Sequence, residues 1–207
     1  PWPSVSGSAD LALLLQGPVE QVAPPLLGAV LRHDGVAVRL TEVEAYGGAD
    51  DPGSHAYRGQ TLRNAVMFGP AGRLYCYFAY GMHVCANVAN GQDGLASAVL
   101  FRAGEVVEGI DLARCRRPGA SDRDLARGPA RLCRALGLDL SHDGAGLVAG
   151  PATLSPGTMP REVARGPRVG LRLAADRQWR FWVPGETSVS PYRRARHPRV
   201  DALDQTP

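Results

Sequence analysis

A chain of 207 residues with 44% hydrophobic content is long enough to bury one core and short for two, so a single domain is expected. It has no apolar run long enough to span a bilayer and no charged-then-apolar leader, which points to a cytosolic protein. A formal net charge of +3 is mild for a nucleic-acid binder, and all 23 basic residues are Arg, so the amine that usually carries Schiff-base chemistry is absent. Cys76, Cys85, Cys115 and Cys133 show neither a C-x-x-C pair nor zinc-finger spacing to His, so no metal, cluster or cofactor is expected.

In chain order, Val19, Val22, Leu26, Leu27 and Val30 recur at helical spacing, but Pro24 and Pro25 interrupt them and predict a short or kinked helix. His33-Asp34-Gly35 is a turn signal leading into a strand on which Val36, Val38 and Leu40 share one face. If the alternation continues, Glu42, Glu44 and Tyr46 keep that inward parity. An inward carboxylate is costly unless it is paired, protonated or at a wet pocket, which makes this strand a place to look for chemistry.

From Gly47 to Gly72, the Gly, Asp, Pro and Asn content predicts long loops carrying His55, Arg63 and Asn64. Leu74 to Phe78 and Met82 to Val88 read as two strands of a hairpin with Tyr80-Gly81 at its turn, and Cys76 and Cys85 as small buried hydrophobes within them. Ser97 to Phe101 is a further strand that delivers Arg102 at its end. Arg123 to Leu136 looks helical, with Gly128-Pro129 starting a fresh helix. Val163 to Leu173 and Trp179 to Val183 supply the last strands. The architecture expected is α+β: one domain, with a core over roughly residues 10–190, a curved, mainly antiparallel sheet, flanking helices and a protruding β-hairpin. A Pro/Arg-rich tail follows from 191 to 207.

Aromatic residues are only 6% of the chain, yet Tyr46, Tyr57, Phe68, Tyr75, Tyr77, Phe78 and Tyr80 crowd into one stretch with the Glu42/Glu44 pair and His55. That composition suits a stacking pocket containing an acid or base; a tyrosine-rich sheet with packed rings is the alternative. Two Arg clusters, one of Arg114, Arg116, Arg117, Arg123 and Arg127 and one of Arg193, Arg194, Arg196 and Arg199, are candidates for neutralising phosphates, or else solvated surface.

The order of the residues adds a resemblance. TEVEAY at Thr41–Tyr46 is followed by DPGSHAYRG through Gly59, then QTLRNAVMFGPAGRLYCYFAYGMHVCAN from Gln60 to Asn87, then GPARLCRAL at Gly128–Leu136 and RVG at Arg168–Gly170. Through these blocks the chain resembles the alkyladenine (3-methyladenine) DNA glycosylase family, as a bacterial member of the mammalian-type purine DNA glycosylases. The resemblance implies excision of alkylated or deaminated purines from double-stranded DNA by a monomer without a cofactor, in a cytoplasmic, nucleoid-associated setting.

It also implies roles. Glu44 matches the general base that activates water, with Glu42 as its local competitor; Arg102 and the main-chain carbonyl of Val169 match groups that position the water. Tyr46, His55 and Tyr77 match the residues that sandwich a flipped base, Asn87 the one that obstructs the amino group of normal guanine, and Tyr80 the intercalating wedge. Arg63, Met82, His83 and Arg131 match positions near the DNA backbone or groove, although His83 and Arg131 depart from the mammalian pattern. Two rivals stand beside this reading: a damaged-DNA-binding protein that does no chemistry, and a hydrolase of small nucleosides, for which Glu42 and Glu44 are poorly placed.

Overall fold

The computed structural model describes residue 2, residues 7–79 and residues 81–195. Asp34 and Gly35 both take positive φ, 42° and 76°, the backbone a tight hairpin turn requires. They join β1 (Val30–His33) to the long β2 (Val36–Tyr46). Before them lie two short helices, α1 (Ser8–Leu14) and α2 (Val19–Val22), with a 3-10 turn over Pro24–Leu26 where the prolines cut the helical pattern. After the loops come the hairpin strands β3 (Leu74–Ala79) and β4 (His83–Ala89), then β5 (Ala98–Glu108). The chain continues through α3 (Ile110–Arg116), α4 (Pro129–Leu136), β6 (Ala152–Ser155), β7 (Ala164–Gly166) and β8 (Arg180–Trp182).

The eight strands among the described residues join one antiparallel sheet in the order β3-β4-β5-β2-β1-β6, with β8 pairing both β2 and β7. The fold is thus a single α+β domain built on a curled antiparallel sheet. The main core fills one face of it, where Val38, Leu40, Val43, Val99 and Phe101 meet Leu26, Leu132 and Leu136. A smaller cluster of Ala56, Met67, Tyr75, Ala96 and Ala98 occupies the other face. Among the described residues no helix is long and apolar enough to cross a membrane.

The alternation on β2 does not continue as expected. Val36, Val38 and Leu40 face the main core, but beyond them it is Val43 and Ala45 that do so. The pairing of β2 with β5 runs Leu40–Gly104, Glu42–Ala103, Val43–Phe101, so Thr41 on β2 and Arg102 on β5 are each an extra residue. A bulge of one residue exchanges the faces of everything after it. Glu42, Glu44 and Tyr46 therefore turn away from the main core. The strands approach so closely here that a Cβ on Gly104 would collide with the Arg39 carbonyl and Val38 Cγ1, and only glycine fits.

Other expectations need correcting too. The helix expected from Arg123 is a 3-10 turn at Asp122–Asp124 and then a separate α4, because Gly128 at φ 125° breaks the backbone before Pro129 opens the new helix. Of Val163–Leu173 only Ala164–Gly166 is strand, since Pro167 ends the ladder and Gly170 turns at φ 74°. The strand ending at Phe101 runs on to Glu108, and α1, α3 and β6 were not anticipated. Tyr80, Arg196 and Arg199 lie outside the described residues.

Candidate active site

The face exchange on β2 determines the site. Glu42 and Glu44, both fully buried, come to lie on the side of the sheet away from the main core, and each must find partners to offset the loss of hydration.

Glu42 finds them all within the protein. Its Oε1 lies 2.6 Å from Arg180 Nε and 3.0 Å from the Ser190 hydroxyl, and its Oε2 accepts the Ser190 N–H at 2.6 Å. Arg102 Nε adds an ion pair with Oε1 at 2.8 Å, off the angle of a hydrogen bond. A carboxylate so surrounded ties β2, β5 and β8 to the segment around Ser190 and has a structural task.

Glu44 is held differently. Its Oε2 accepts the Tyr46 hydroxyl at 2.8 Å, its Oε1 accepts the Val169 N–H at 2.7 Å, and Arg102 Nε stands 3.5 Å from Oε1. Val169 thus meets Glu44 through its N–H, a contact separate from the one expected of its carbonyl. Burial alone would lower the Arg102 guanidinium, but Glu44 and Glu42 outweigh it and hold it above its ordinary value, so it stays charged. Burial and the neighbouring Glu44 push the Tyr46 phenol well above its usual value, so it remains a donor.

These partners of Glu44 open onto a cavity of about 330 Å³, whose walls include Tyr46, His55, Tyr77, Asn87, Arg102 and Val169. Glu44 itself sits just behind that wall. The His55 and Tyr77 rings meet edge to face at 4.5 Å between centroids and 82°. Tyr77 is tilted against Tyr75 at 5.4 Å, and His55 Nδ1 shares a hydrogen bond of 3.0 Å with the Tyr75 hydroxyl. Burial, and then the positive charge of Arg63, hold the His55 imidazole below its usual value, which favours the neutral ring. Asn87 is buried and commits Nδ2 to the Tyr75 carbonyl at 3.0 Å, which fixes its amide plane. Among the described residues no group of His, Cys, Asp and Glu is placed to hold a metal ion.

At the mouth, Arg63 donates to the Phe78 carbonyl at 2.7 Å and lies over the Tyr77 ring at 5.7 Å from its centroid. Met82 and His83 are exposed on the hairpin outside the cavity, and Arg131, at the start of α4, stands 3.8 Å from Asp124. The first Arg cluster is largely occupied. Arg114 pairs with Asp111 and Asp122, Arg116 with Asp34, and Arg123 and Arg127 with Asp124.

Sequence reasoning gave no role to several residues that build the site. Arg168 is 1% exposed and grips the fully buried Asp51 with two hydrogen bonds, of 2.6 and 2.7 Å. Tyr75, Met67, Cys85 and Leu100 also line the cavity. Arg168 opens the RVG signature and Asp51 precedes Pro52-Gly53, but nothing in either local pattern announces that they meet.

Residues 13–187 match the model of the family described as methylpurine-DNA glycosylase. A protein of Leifsonia xyli subsp. xyli assigned as a 3-methyladenine DNA glycosylase is 58% identical over 191 residues, covering 86% of this chain and 89% of its own length. Relatives with the same assignment from Frankia casuarinae and Nocardia farcinica are 53% identical over 195 residues and 56% identical over 180 residues. They cover 88% and 82% of this chain, and 92% and 85% of their own. With a family match across most of its length and relatives more than half identical, the chain belongs to the methylpurine-DNA glycosylase family and is a DNA glycosylase, a hydrolase acting on N-glycosyl bonds.

Proposed function

We propose that this protein is a monofunctional glycosylase that removes alkylated or deaminated purines from double-stranded DNA, by base flipping and water attack at C1′, as a step of base excision repair. 3-Methyladenine, 7-methylguanine, hypoxanthine and ethenoadenine are the substrate class, and the protein acts as a monomer, without a cofactor, on DNA in the bacterial cytoplasm. One observation carries the reading. Tyr46, Arg102 and Val169, the groups that touch Glu44, line the same cavity as His55, Tyr77 and Asn87.

A flipped purine between the Tyr46, His55 and Tyr77 rings brings its glycosidic bond to the wall behind which Glu44 sits. Water gives a proton to Glu44 as its oxygen bonds to C1′; the bond to the base breaks, and the base leaves with the electron pair. The adjacent carboxylate stabilises positive charge developing on the sugar. Bases methylated on a ring nitrogen are cationic and favoured by electron-rich aromatic faces. The fixed amide of Asn87 discriminates by obstruction, against the exocyclic amino group of guanine. Tyr80 fills the gap in the stack, and Arg63, Met82, His83 and Arg131 contact the backbone or groove. With no Lys in the chain, water is the nucleophile and no strand cleavage accompanies release.

The burial of Glu44 favours a second reading, a damaged-DNA binder in which the carboxylate never meets water. Base release from methylated and hypoxanthine-containing duplexes, compared between the native protein and Glu44→Gln with binding followed in parallel, separates the two. Release lost in the variant with binding retained supports the glycosylase mechanism; tight binding without release by either protein supports the silent binder.

A further inference from the structure

Both donors that hold Glu44 converge on one buried guanidinium. Arg168 is joined by a peptide bond to Val169, whose N–H binds Glu44 Oε1, and its guanidinium lies 4.7 Å from the centroid of the Tyr46 ring, whose hydroxyl binds Oε2. It also donates to the carbonyl of Ala45, the residue between Glu44 and Tyr46, at 2.9 Å.

Arg168 is itself fixed by Asp51, and the fork-to-fork pair allows one orientation of both planes. Burial alone would raise the Asp51 carboxyl, but Arg168 and the Gly47 and Gly53 N–H groups outweigh it and hold it below the usual carboxylate range. Gly53 borders the guanidinium so tightly that a Cβ there would stand 2.7 Å from Arg168 Nη2 and 2.8 Å from Leu171 Cδ1. The loop carrying His55 and the segment carrying Val169 are thus clamped together beneath the cavity.

We infer that Arg168 is a positioning residue for base release, which sets Glu44 through Tyr46 and Val169 and is locked in place by Asp51. The inference rests on Glu44 activating water. The Arg168→Lys change keeps the charge and removes the planar fork.

The experiment measures single-turnover release of 7-methylguanine from a methylated duplex, affinity for the same duplex, and the thermal midpoint, for the native protein, Arg168→Lys, Tyr46→Phe and the double variant. Misplacing a reacting group by about 1 Å costs roughly a hundredfold in rate, so Arg168→Lys is expected to lose ten- to a hundredfold, as rough bounds, in release while affinity changes little. Because Arg168 works partly through Tyr46, the loss in the double variant is expected to fall well short of the product of the single losses.

Multiplying losses, or an equal fall in affinity and release, would leave Arg168 a structural residue and overturn the inference. If Arg168→Lys does not fold, Gly53→Ala displaces the guanidinium with both charges kept, and the same comparison is made there. Release that persists undiminished in a folded variant overturns the inference alone; absence of release by the native protein removes the glycosylase reading as well.

Discussion

The Tyr46 hydroxyl donates to Glu44 Oε2 at 2.8 Å, two residues away on the same strand and the same face. The strand itself makes the two side chains neighbours, since residues i and i+2 share a face. The Tyr46→Phe change keeps the ring in the cavity wall and removes that donor alone. A hydrogen bond to a charged group contributes about 1.5–3 kcal/mol, so base release is expected to fall roughly ten- to hundredfold if the bond matters in the transition state. The phenol is held well above its usual value, so its titration adds no fall in native activity below about pH 10. A pH–rate profile of native protein and variant checks both statements.

Glu42 and Glu44 should separate stability from activity. Replacing Glu42 by Gln leaves Arg102 and Arg180 without their shared carboxylate in a buried setting. Breaking such a pair costs about 3–5 kcal/mol, which for a chain of this size lowers the thermal midpoint by roughly 6–20 °C. Glu44→Gln keeps one acceptor oxygen for the Val169 N–H, and its amide NH2 can donate to the Tyr46 hydroxyl once that hydroxyl turns to accept, so it is expected to lower the midpoint less while abolishing release. Calorimetry beside a base-release assay decides; the opposite ranking would exchange the roles assigned to the two residues.

His55 gives a pH dependence whose sign follows from its environment. Burial and Arg63 make the folded imidazole harder to protonate than its ordinary value of 6.5. Below that pH the unfolded chain takes up the proton first. The His55 contribution to stability is therefore present above about 6.5 and is lost as pH falls through the lower, folded value. Histidine resonances followed by NMR should show a midpoint below 6.5, and Arg63→Ala should move it part of the way back, because burial remains.

Salt dependence distinguishes occupied arginines from available ones. Arg114 is bonded to Asp111 and Asp122, so Arg114→Ala is expected to leave the slope of log affinity against log salt unchanged. Arg63 stands at the cavity mouth, and if it meets a phosphate, Arg63→Ala should flatten that slope by about 0.9. Duplex binding at four or five salt concentrations measures both. Equal effects would show that the aspartates near Arg114 yield to DNA.

The elements most legible in the sequence are those whose signals are local. The Asp34-Gly35 turn, the two hairpin strands on either side of Gly81 and the break at Gly128-Pro129 follow from backbone preferences that neighbouring residues carry themselves. The family motifs led to Tyr46, His55, Tyr77, Asn87, Arg102 and Val169, which the structure gathers around one cavity. Unbroken alternation would put Glu44 on the face of Val36, Val38 and Leu40; the bulge that moves it to the other face depends on the register with β5, more than fifty residues on. Arg168 and Asp51 escaped for the same reason: their partnership spans 117 residues. The full set of protein partners around Glu42 likewise depends on Arg180 and Ser190, which only the folded chain brings near.

The paired bulges at Thr41 and Arg102 have a consequence for how this site can vary. On a strand, which side a residue faces is decided by counting, so Glu44 lies on the cavity side of the sheet because one residue more than regular pairing allows stands before it. Although the buried Thr41 hydroxyl, 2.9 Å from that of Ser188, restricts which side chains fit at position 41, a substitution there keeps the count. Deleting that position changes it, and would rotate Glu44 and Tyr46 into the hydrocarbon side while bringing Val43 and Ala45 to the cavity. At that point a change of length therefore reorganises the centre of this enzyme in a way that no change of side chain does.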